Sequence, residues 1–383
     1  MKPDIHMKRL AIVYPKAIGD FMFALPALHT IRQTWKEIHI TLVVKRKQAP
    51  IALPQKGILA DEVLVIGGET SWSDVRRELN ALNGDTVIDM AGNDHAGLIM
   101  SCRRGRRIRP HRSDCKGMCA IYSPFAEAMP KLPVGLHRVD ELLTFARYLG
   151  AQDPIYSFAL KLPDRAIEES EKMIAKHGLQ PGSVVALNLG ASRDSKCWPA
   201  EHFRTLAEGL IANGHRVALM GAHAFKPDNH YDRRLVEQFT REGLVNGETC
   251  IDLTTDATLP ADVHLQRDTH FLRYSKIPKL VVGNDTGPLH LAGSVGDDAQ
   301  NKTLSLFGPT NWGRYAPYDQ TRLFPDTPQG EWNHVFCADV DCGPVGTEEA
   351  CRCYRSKCSH KKCMHELRAE TVLKGALAMV ETT

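Results

Sequence analysis

The chain lacks a long hydrophobic run. Nothing in its 383 residues approaches the ~18 uninterrupted apolar positions that a membrane-crossing helix needs. A secretory leader is also missing. Residues 1–9 are charged and lead straight into an apolar strand, without a leader's apolar region and small-residue cleavage site. A cytoplasmic protein is therefore expected. Charge of one sign is scarce: 48 Lys and Arg against 45 Asp and Glu leave a formal +3 with His neutral. That is too small to suggest a nucleic-acid partner. No short-period repeat is visible. The 11 cysteines show no clean pair of C-x-x-C knuckles, the usual strong zinc signal. In a cytosolic chain they are expected to stay reduced.

What is present is a long alternation of strands and helices. The spacing of apolar residues predicts strands at 10–14, 38–44, 62–66 and 86–90, and helices at 21–35, 72–82 and 139–149. Residues 151–182, with Pro154, Pro163 and Pro181 around a charged helix at 165–177, read as a connection. The second half repeats the pattern. Strands are expected at 184–189 and 216–220 and near 280 and 304, and helices at 200–212 and 231–241. Strands alternating with helices imply parallel sheets. The expectation is an α/β chain of two similar doubly wound, Rossmann-like domains, 1–160 and 161–360. An amphipathic helix at 364–380 lies within a terminal segment, 361–383.

Three strand ends carry small, hydroxyl-bearing loops. The most informative is Gly283-Asn284-Asp285-Thr286-Gly287-Pro288-Leu289-His290, which follows an apolar run. Asp285 or Thr286 suits a helix N-cap, and Pro288 suits a first helical turn. Such a turn presents free amides and a positive dipole end to a phosphate. The other two loops are Gly190-Ala191-Ser192 and Gly308-Pro309-Thr310. In open α/β sheets, ligands bind outside the carboxyl ends of strands. An ordinary strand-to-helix turn is the competing reading of each loop taken alone.

Taken together, these segments resemble a known family. Gly190-Ala191-Ser192 with Lys196 and Trp198-Pro199, then the 283–292 stretch, then Phe307-Gly308-Pro309-Thr310 with Ala316-Pro317, are similar to the ADP-heptose:lipopolysaccharide heptosyltransferases. These belong to glycosyltransferase family nine and have the GT-B fold. Ile18-Gly19-Asp20 followed by Leu25-Pro26-Ala27-Leu28 resembles the family's opening motif. The resemblance implies two domains facing a cleft, with the terminal helix packing back on the first domain. It implies an inverting, metal-independent transferase that moves a heptose from ADP-heptose to the inner core of lipopolysaccharide. It also implies peripheral contact with the cytoplasmic face of the inner membrane.

The resemblance gives Asp20 the part of general base, where the residues alone suggest an N-cap aspartate. It places Ser192, Lys196, Asp285, Thr286, Gly287 and His290 at the donor nucleotide and requires no cofactor. No Asp-x-Asp occurs near Asp252 or Asp256 to hold a divalent cation, and the helix terminus and Lys196 are expected in its place. Some members bind the donor ribose through a glutamate soon after the strand at 216–220. Here no glutamate stands close by, and Asp228 or Asp232 is the available substitute.

Asn93, Arg103, Arg106 and Arg138 are the acceptor-side candidates. The arginine run at 103–112 reads either as a solvated face or as a patch for phosphate or carboxylate groups. A metal in the tail of Cys337, Cys342, Cys351, Cys353, Cys358 and Cys363 is the weaker reading of those residues. Two rival functions stand beside the transferase: a sugar-nucleotide epimerase or hydrolase, and a transferase using another nucleotide sugar.

Overall fold

The structure is a computed structural model. It describes residues 7–67, 86–101, 105–111, 113, 126–191, 193–221, 231–254, 259–295, 301–319, 330, 332–342, 358 and 360–381. The chain divides into two units, Met1–Lys161 and Leu162–Thr383.

The first unit holds a six-stranded sheet: β1 (Arg9–Val13), β2 (His39–Lys45), β3 (Glu62–Ile66), β4 (Thr86–Asp89), β5 (Arg106–Arg109) and β6 (Glu127–Ala128). Its order is β3-β2-β1-β4-β5-β6, and every neighbouring pair is parallel. The central strands are almost wholly buried, as parallel strands covered on both faces must be. The helices of this unit are α1 (Ile18–Thr34), α2 (Ala49–Ala52), α3 (Asp94–Ser101) and α4 (Arg138–Leu149), with α4 packed on α1. The helix expected at 72–82 lies outside the described residues.

The second unit begins with α5 (Asp164–Lys176) and repeats the plan with β7 (Val184–Asn188), α6 (Ala200–Ala212), β8 (Arg216–Met220), α7 (Tyr231–Arg241), β9 (Cys250–Asp252), α8 (Ala261–Arg273), β10 (Pro278–Asn284), α9 (Gly287–Gly293), β11 (Lys302–Phe307), α10 (Trp312–Tyr315) and β12 (Asn333–Cys337). The sheet order is β12-β11-β10-β7-β8-β9, again parallel throughout. Two short helices close the unit, α11 (Lys362–His365) and α12 (Ala369–Glu381).

Both sheets reverse direction once, between β1 and β4 in the first and between β7 and β10 in the second. A reversal leaves adjacent strand ends whose following loops diverge to opposite faces, which opens a crevice at the carboxyl edge.

Four expectations need correction. The terminal helix, expected on the first domain, buries Val372, Ala376, Met379 and Val380 in the core of the second unit, beside Phe203, Leu206 and Leu210 of α6. Gly209 permits this approach, because a Cβ there would meet the Leu373 side chain. The helix is also broken into α11 and α12, and the break leaves the Leu367 carbonyl to accept from Trp198 Nε1 at 2.8 Å.

The arginine run is partly strand β5, with Ile108 its fully buried position. Residues 246–267, for which no element was expected, contain β9 and the start of α8. Helix α8 was hidden because its buried side carries His264, Gln266, Arg267, Asp268, Thr269 and Arg273 between the apolar Val263, Leu265, Phe271 and Leu272. Arg267 pairs with Asp268 at 2.8 Å and donates to the Leu253 carbonyl at 3.1 Å, and Arg273 donates to the carbonyls of Leu291 and Ser294. Buried charges are tolerated when they are paired in this way.

Candidate active site

At the reversal of the second sheet, β7 ends in Asn188 and β10 ends in Asn284. The strands approach closely here: a Cβ at Gly283 would lie 2.8 Å from the Asn188 Cβ. Asn188 Nδ2 donates to Thr286 Oγ1 at 2.7 Å. Asn284 Nδ2 donates to the Leu189 carbonyl at 2.9 Å, while Asn284 Oδ1 accepts from the Trp198 amide at 3.0 Å. Two asparagines thus lock three chain segments, because an amide side chain donates and accepts at once. Neither was a site candidate, although Asn284 lies within one of the three motifs and Asn188 two residues before another.

Three side chains, a lysine, an aspartate and a histidine, meet on this scaffold. Lys196 Nζ lies 2.5 Å from Asp285 Oδ2, and His290 Nε2 lies 3.2 Å from Asp285 Oδ1. All three are buried. Burial alone would raise the Asp285 carboxyl, but Lys196 and His290 outweigh it and hold it well below the usual carboxylate range. Asp285 is therefore an anion that fixes a lysine and a histidine. Thr286 occupies the N-cap of α9, yet its side chain does not cap the helix, and Pro288 stands in the first turn without an N–H.

Of the expected donor-side residues, Lys196, Asp285, Thr286, Gly287 and His290 come together at this one strand end. Ser192 lies outside the described residues. Asp232, in the first turn of α7, is buried between the ends of β7 and β8, where a Cβ at Gly190 or Gly221 would collide with its carboxylate. Asp228 lies outside the described residues.

The first unit's reversal carries a second set. Asp20 is half-buried in the first turn of α1. Its Oδ2 accepts from the Ala17 amide at 3.3 Å, and Tyr14 Oη donates to its carbonyl at 3.1 Å. Ala17 is the N-cap and has no side chain to cap with, so Asp20 reaches back instead. Beside it, β4 ends in the fully buried Asp89, whose Oδ1 accepts from the amides of Ala91 and Gly92, both at 2.8 Å. Burial pushes Asp89 up to about 6, against those amides and the charges of Lys16 and Arg138. Neither Asp89 nor Lys16 was a candidate. The signal was an aspartate closing an apolar strand ahead of a glycine, the same form as Asn284-Asp285.

The acceptor-side candidates separate. Asn93 Oδ1 accepts from the Ala96 amide at 3.0 Å at the start of α3, and its Nδ2 donates to the Pro15 carbonyl at 3.3 Å. Arg138, at the start of α4, donates to the Met90 carbonyl at 3.1 Å and pairs with Glu141 at 2.7 Å. Both stand at the carboxyl edge. Arg106 does not. It opens β5 opposite Thr86, at the amino end of β4, and pairs with Glu127 at 3.0 Å. The strand holds it about 10 Å from the edge where Asp89 lies, so Arg106 is withdrawn as an acceptor contact. Arg103 lies outside the described residues.

In the tail, Cys337 falls on β12 and Cys363 is buried, while Cys351 and Cys353 lie outside the described residues. Among the described residues, no three His, Cys, Asp or Glu side chains gather as a metal site.

Two doubly wound parallel-sheet units, one with a buried cation at its strand crossover and the other with carboxylates, have the architecture of the GT-B fold class. Residues 72–324, more than half of the chain, match the model of glycosyltransferase family 9 (heptosyltransferase), and the chain belongs to that family. It is 24% identical over 381 residues to lipooligosaccharide heptosyltransferase 2 of Campylobacter jejuni, covering 98% of this chain and 99% of that one. It is 23% identical over 335 residues to lipopolysaccharide heptosyltransferase 1 of Escherichia coli K12, covering 84% and 94%. Among solved structures, the family 9 glycosyl transferase of Veillonella parvula matches with a TM-score of 0.74 at 18% identity over the whole of both chains. The E. coli heptosyltransferase WaaC with ADP matches with a TM-score of 0.65 at 20% identity, covering 97% and 99%.

Proposed function

We propose that the enzyme transfers a heptose from ADP-heptose to the inner core of lipopolysaccharide in one displacement, inverting the anomeric carbon. The observation that carries this reading is the buried Lys196–Asp285–His290 cluster at the second sheet's reversal. It supports an ADP-sugar donor, since a fixed cation beside free helix amides is what a leaving diphosphate needs. Fixed donors aimed at developing charge are worth more in a buried, low-dielectric site than in water.

In this reading the acceptor hydroxyl oxygen bonds to the anomeric carbon as the bond from that carbon to the diphosphate breaks. Asp20 takes the hydroxyl proton, and ADP leaves against Lys196 and the amides of Thr286 and Gly287. Ser192 and His290 bind the same phosphates. Asp285 holds Lys196 and His290 in place and does not itself touch the anion. Asp232 takes the donor ribose hydroxyls in place of the glutamate that some relatives use. Arg138 and Asn93 stand on the acceptor side. The Lys196 charge and the helix amides serve where other transferases use a divalent cation. No helix among the described residues is long and apolar enough to cross a membrane.

The test is ADP release with ADP-heptose and a heptose-deficient lipopolysaccharide core, run beside Asp20→Ala. Acceptor-dependent release that falls about 10²–10⁴-fold in the variant is expected. Release without acceptor identifies an epimerase or hydrolase. Absence of both release and ADP binding by calorimetry removes the donor assignment.

A further inference from the structure

The turn after β2 reads Lys45-Arg46-Lys47-Gln48. Arg46 and Lys47 are exposed, as a charged turn should be, while Gln48 is wholly buried. Its side-chain oxygen is used twice. Gln48 Oε1 accepts from the Lys45 amide at 3.0 Å, which closes its own turn, and from the Lys16 amide at 3.0 Å, which belongs to a different loop. Both neighbours are N–H donors, so the oxygen faces them and the nitrogen faces away. Nε2 is buried and finds no acceptor among the described residues. An unpaired buried donor opposes folding. The residue is therefore kept for what its oxygen does, and only one of the oxygen's two bonds serves its own turn.

The other bond reaches the chain that starts α1. Lys16 stands in the loop between β1 and α1, directly before Ala17, the N-cap residue. Ala17 is exposed and has no side chain that could fix it. Its amide donates to Asp20 Oδ2 at 3.3 Å. Gln48 and Asp20 thus hold successive amides of one short loop, Gln48 on Lys16 and Asp20 on Ala17. From the other flank, Asn93 Nδ2 donates to the Pro15 carbonyl at 3.3 Å. Strands β2 and β4 lie on either side of β1, so the loop is gripped from both neighbours.

We propose that Gln48 is a positioning residue for the transfer step. It ties the Lys16 amide to the end of β2, and through the adjoining Ala17 amide it aims the Asp20 carboxylate. The proposal rests on the reading of Asp20 as the base.

The experiment compares wild type, Gln48→Met, Gln48→Glu, Asp20→Ala and the Gln48→Met, Asp20→Ala double variant. Steady-state ADP release is followed with ADP-heptose and the heptose-deficient lipopolysaccharide core. Methionine has nearly the shape of glutamine, so the core stays filled, but its sulfur is a weak acceptor. Glutamate keeps an oxygen for both amides in either protonation state. Gln48→Met lowers kcat by about 10²-fold, the loss that a misplacement of about 1 Å produces, with the KM of donor and acceptor unchanged. Gln48→Glu restores the wild-type kcat. Beside Asp20→Ala, the methionine costs nothing more, since no base is left to aim. A wild-type kcat in Gln48→Met, an equal fall in Gln48→Glu, a loss confined to KM, or a further loss in the double variant overturns the proposal. So does a Gln48→Met chain that no longer unfolds cooperatively, because the glutamine then serves the fold alone.

Amide hydrogen exchange separates this result from a failure of the base reading. Exchange over residues 16–20 rises about tenfold in Gln48→Met, as the loss of one hydrogen bond predicts, and stays at the wild-type rate in Gln48→Glu. Unchanged exchange in Gln48→Met overturns the tether even if no sugar is transferred. Wild-type turnover in Asp20→Ala, with exchange behaving as expected, removes the base reading and leaves the tether without a catalytic purpose.

Discussion

The two crossover points share a strand order and differ in how they treat a buried aspartate. In the second unit Asp285 is fully engaged, with Lys196 on one oxygen and His290 on the other, and its carboxyl is held low. In the first unit Asp89 bonds through one oxygen only, and burial pushes its carboxyl up to about 6. Burial penalises both charges. Only the partners within reach decide whether the ionised form is favoured. One crossover is prepaid, with its charges neutralised before any donor arrives, while the other keeps a carboxylate under tension.

The comparison can be broken at several points. The largest effect is expected at Asp20→Ala, which removes the proton acceptor while leaving the second unit intact. ADP binding measured by calorimetry should stay at the wild-type level while turnover collapses.

Next comes the paired substitution. Asp285→Asn breaks a buried ion pair and should cost about 3–5 kcal/mol of stability by denaturant unfolding. The same chemical change at Asp89 should cost nothing, or add stability, above pH 6. The pH profiles should also run in opposite senses. The contribution of Asp285, whose carboxyl is depressed, is present above its unfolded value and is lost only as pH falls well below it. That of Asp89 is lost as pH rises. Destabilisation of similar size at both sites would erase the distinction.

Asn284→Ala strips partners from the Trp198 amide and the Leu189 carbonyl and should cost about 1–3 kcal/mol, with a weaker donor KM in steady-state assays. Arg106→Ala should be nearly silent. Its pair with Glu127 is about a third exposed on each side and is worth at most about 1 kcal/mol. A raised acceptor KM in that variant would return Arg106 to the acceptor side. Smallest of all, chelation by EDTA should leave the rate unchanged.

Much of this arrangement was legible in the chain. Residues 184–188 and 278–284 are short apolar runs followed by Gly, Asp, Thr or Ser, and such runs form buried parallel strands with polar ends whatever their partners. Asp285, Thr286 and His290 were readable because they share one turn. Lys196 was readable only through the family resemblance. Arg106 was misread because four residues, Arg-Arg-Ile-Arg, carry one apolar position and give no period to detect. Helix α8 was missed for a related reason: polar residues at 264 and 266–269 interrupt its buried apolar positions, and hydrophobic spacing cannot report burial that is compensated by ion pairs.

The sequence by itself determined the parallel α/β plan, the strand ends that carry chemistry, and the identity of the charged groups there. These follow from local apolar patterning and from turn residues whose preferences act over a few positions. Only the tertiary structure decided that Lys196 meets Asp285 across 89 residues and that the last helix joins the second core. Such pairings depend on strand order and loop closure, which bring together residues far apart in the chain. The ionisation of a buried carboxyl depends on which charges arrive beside it.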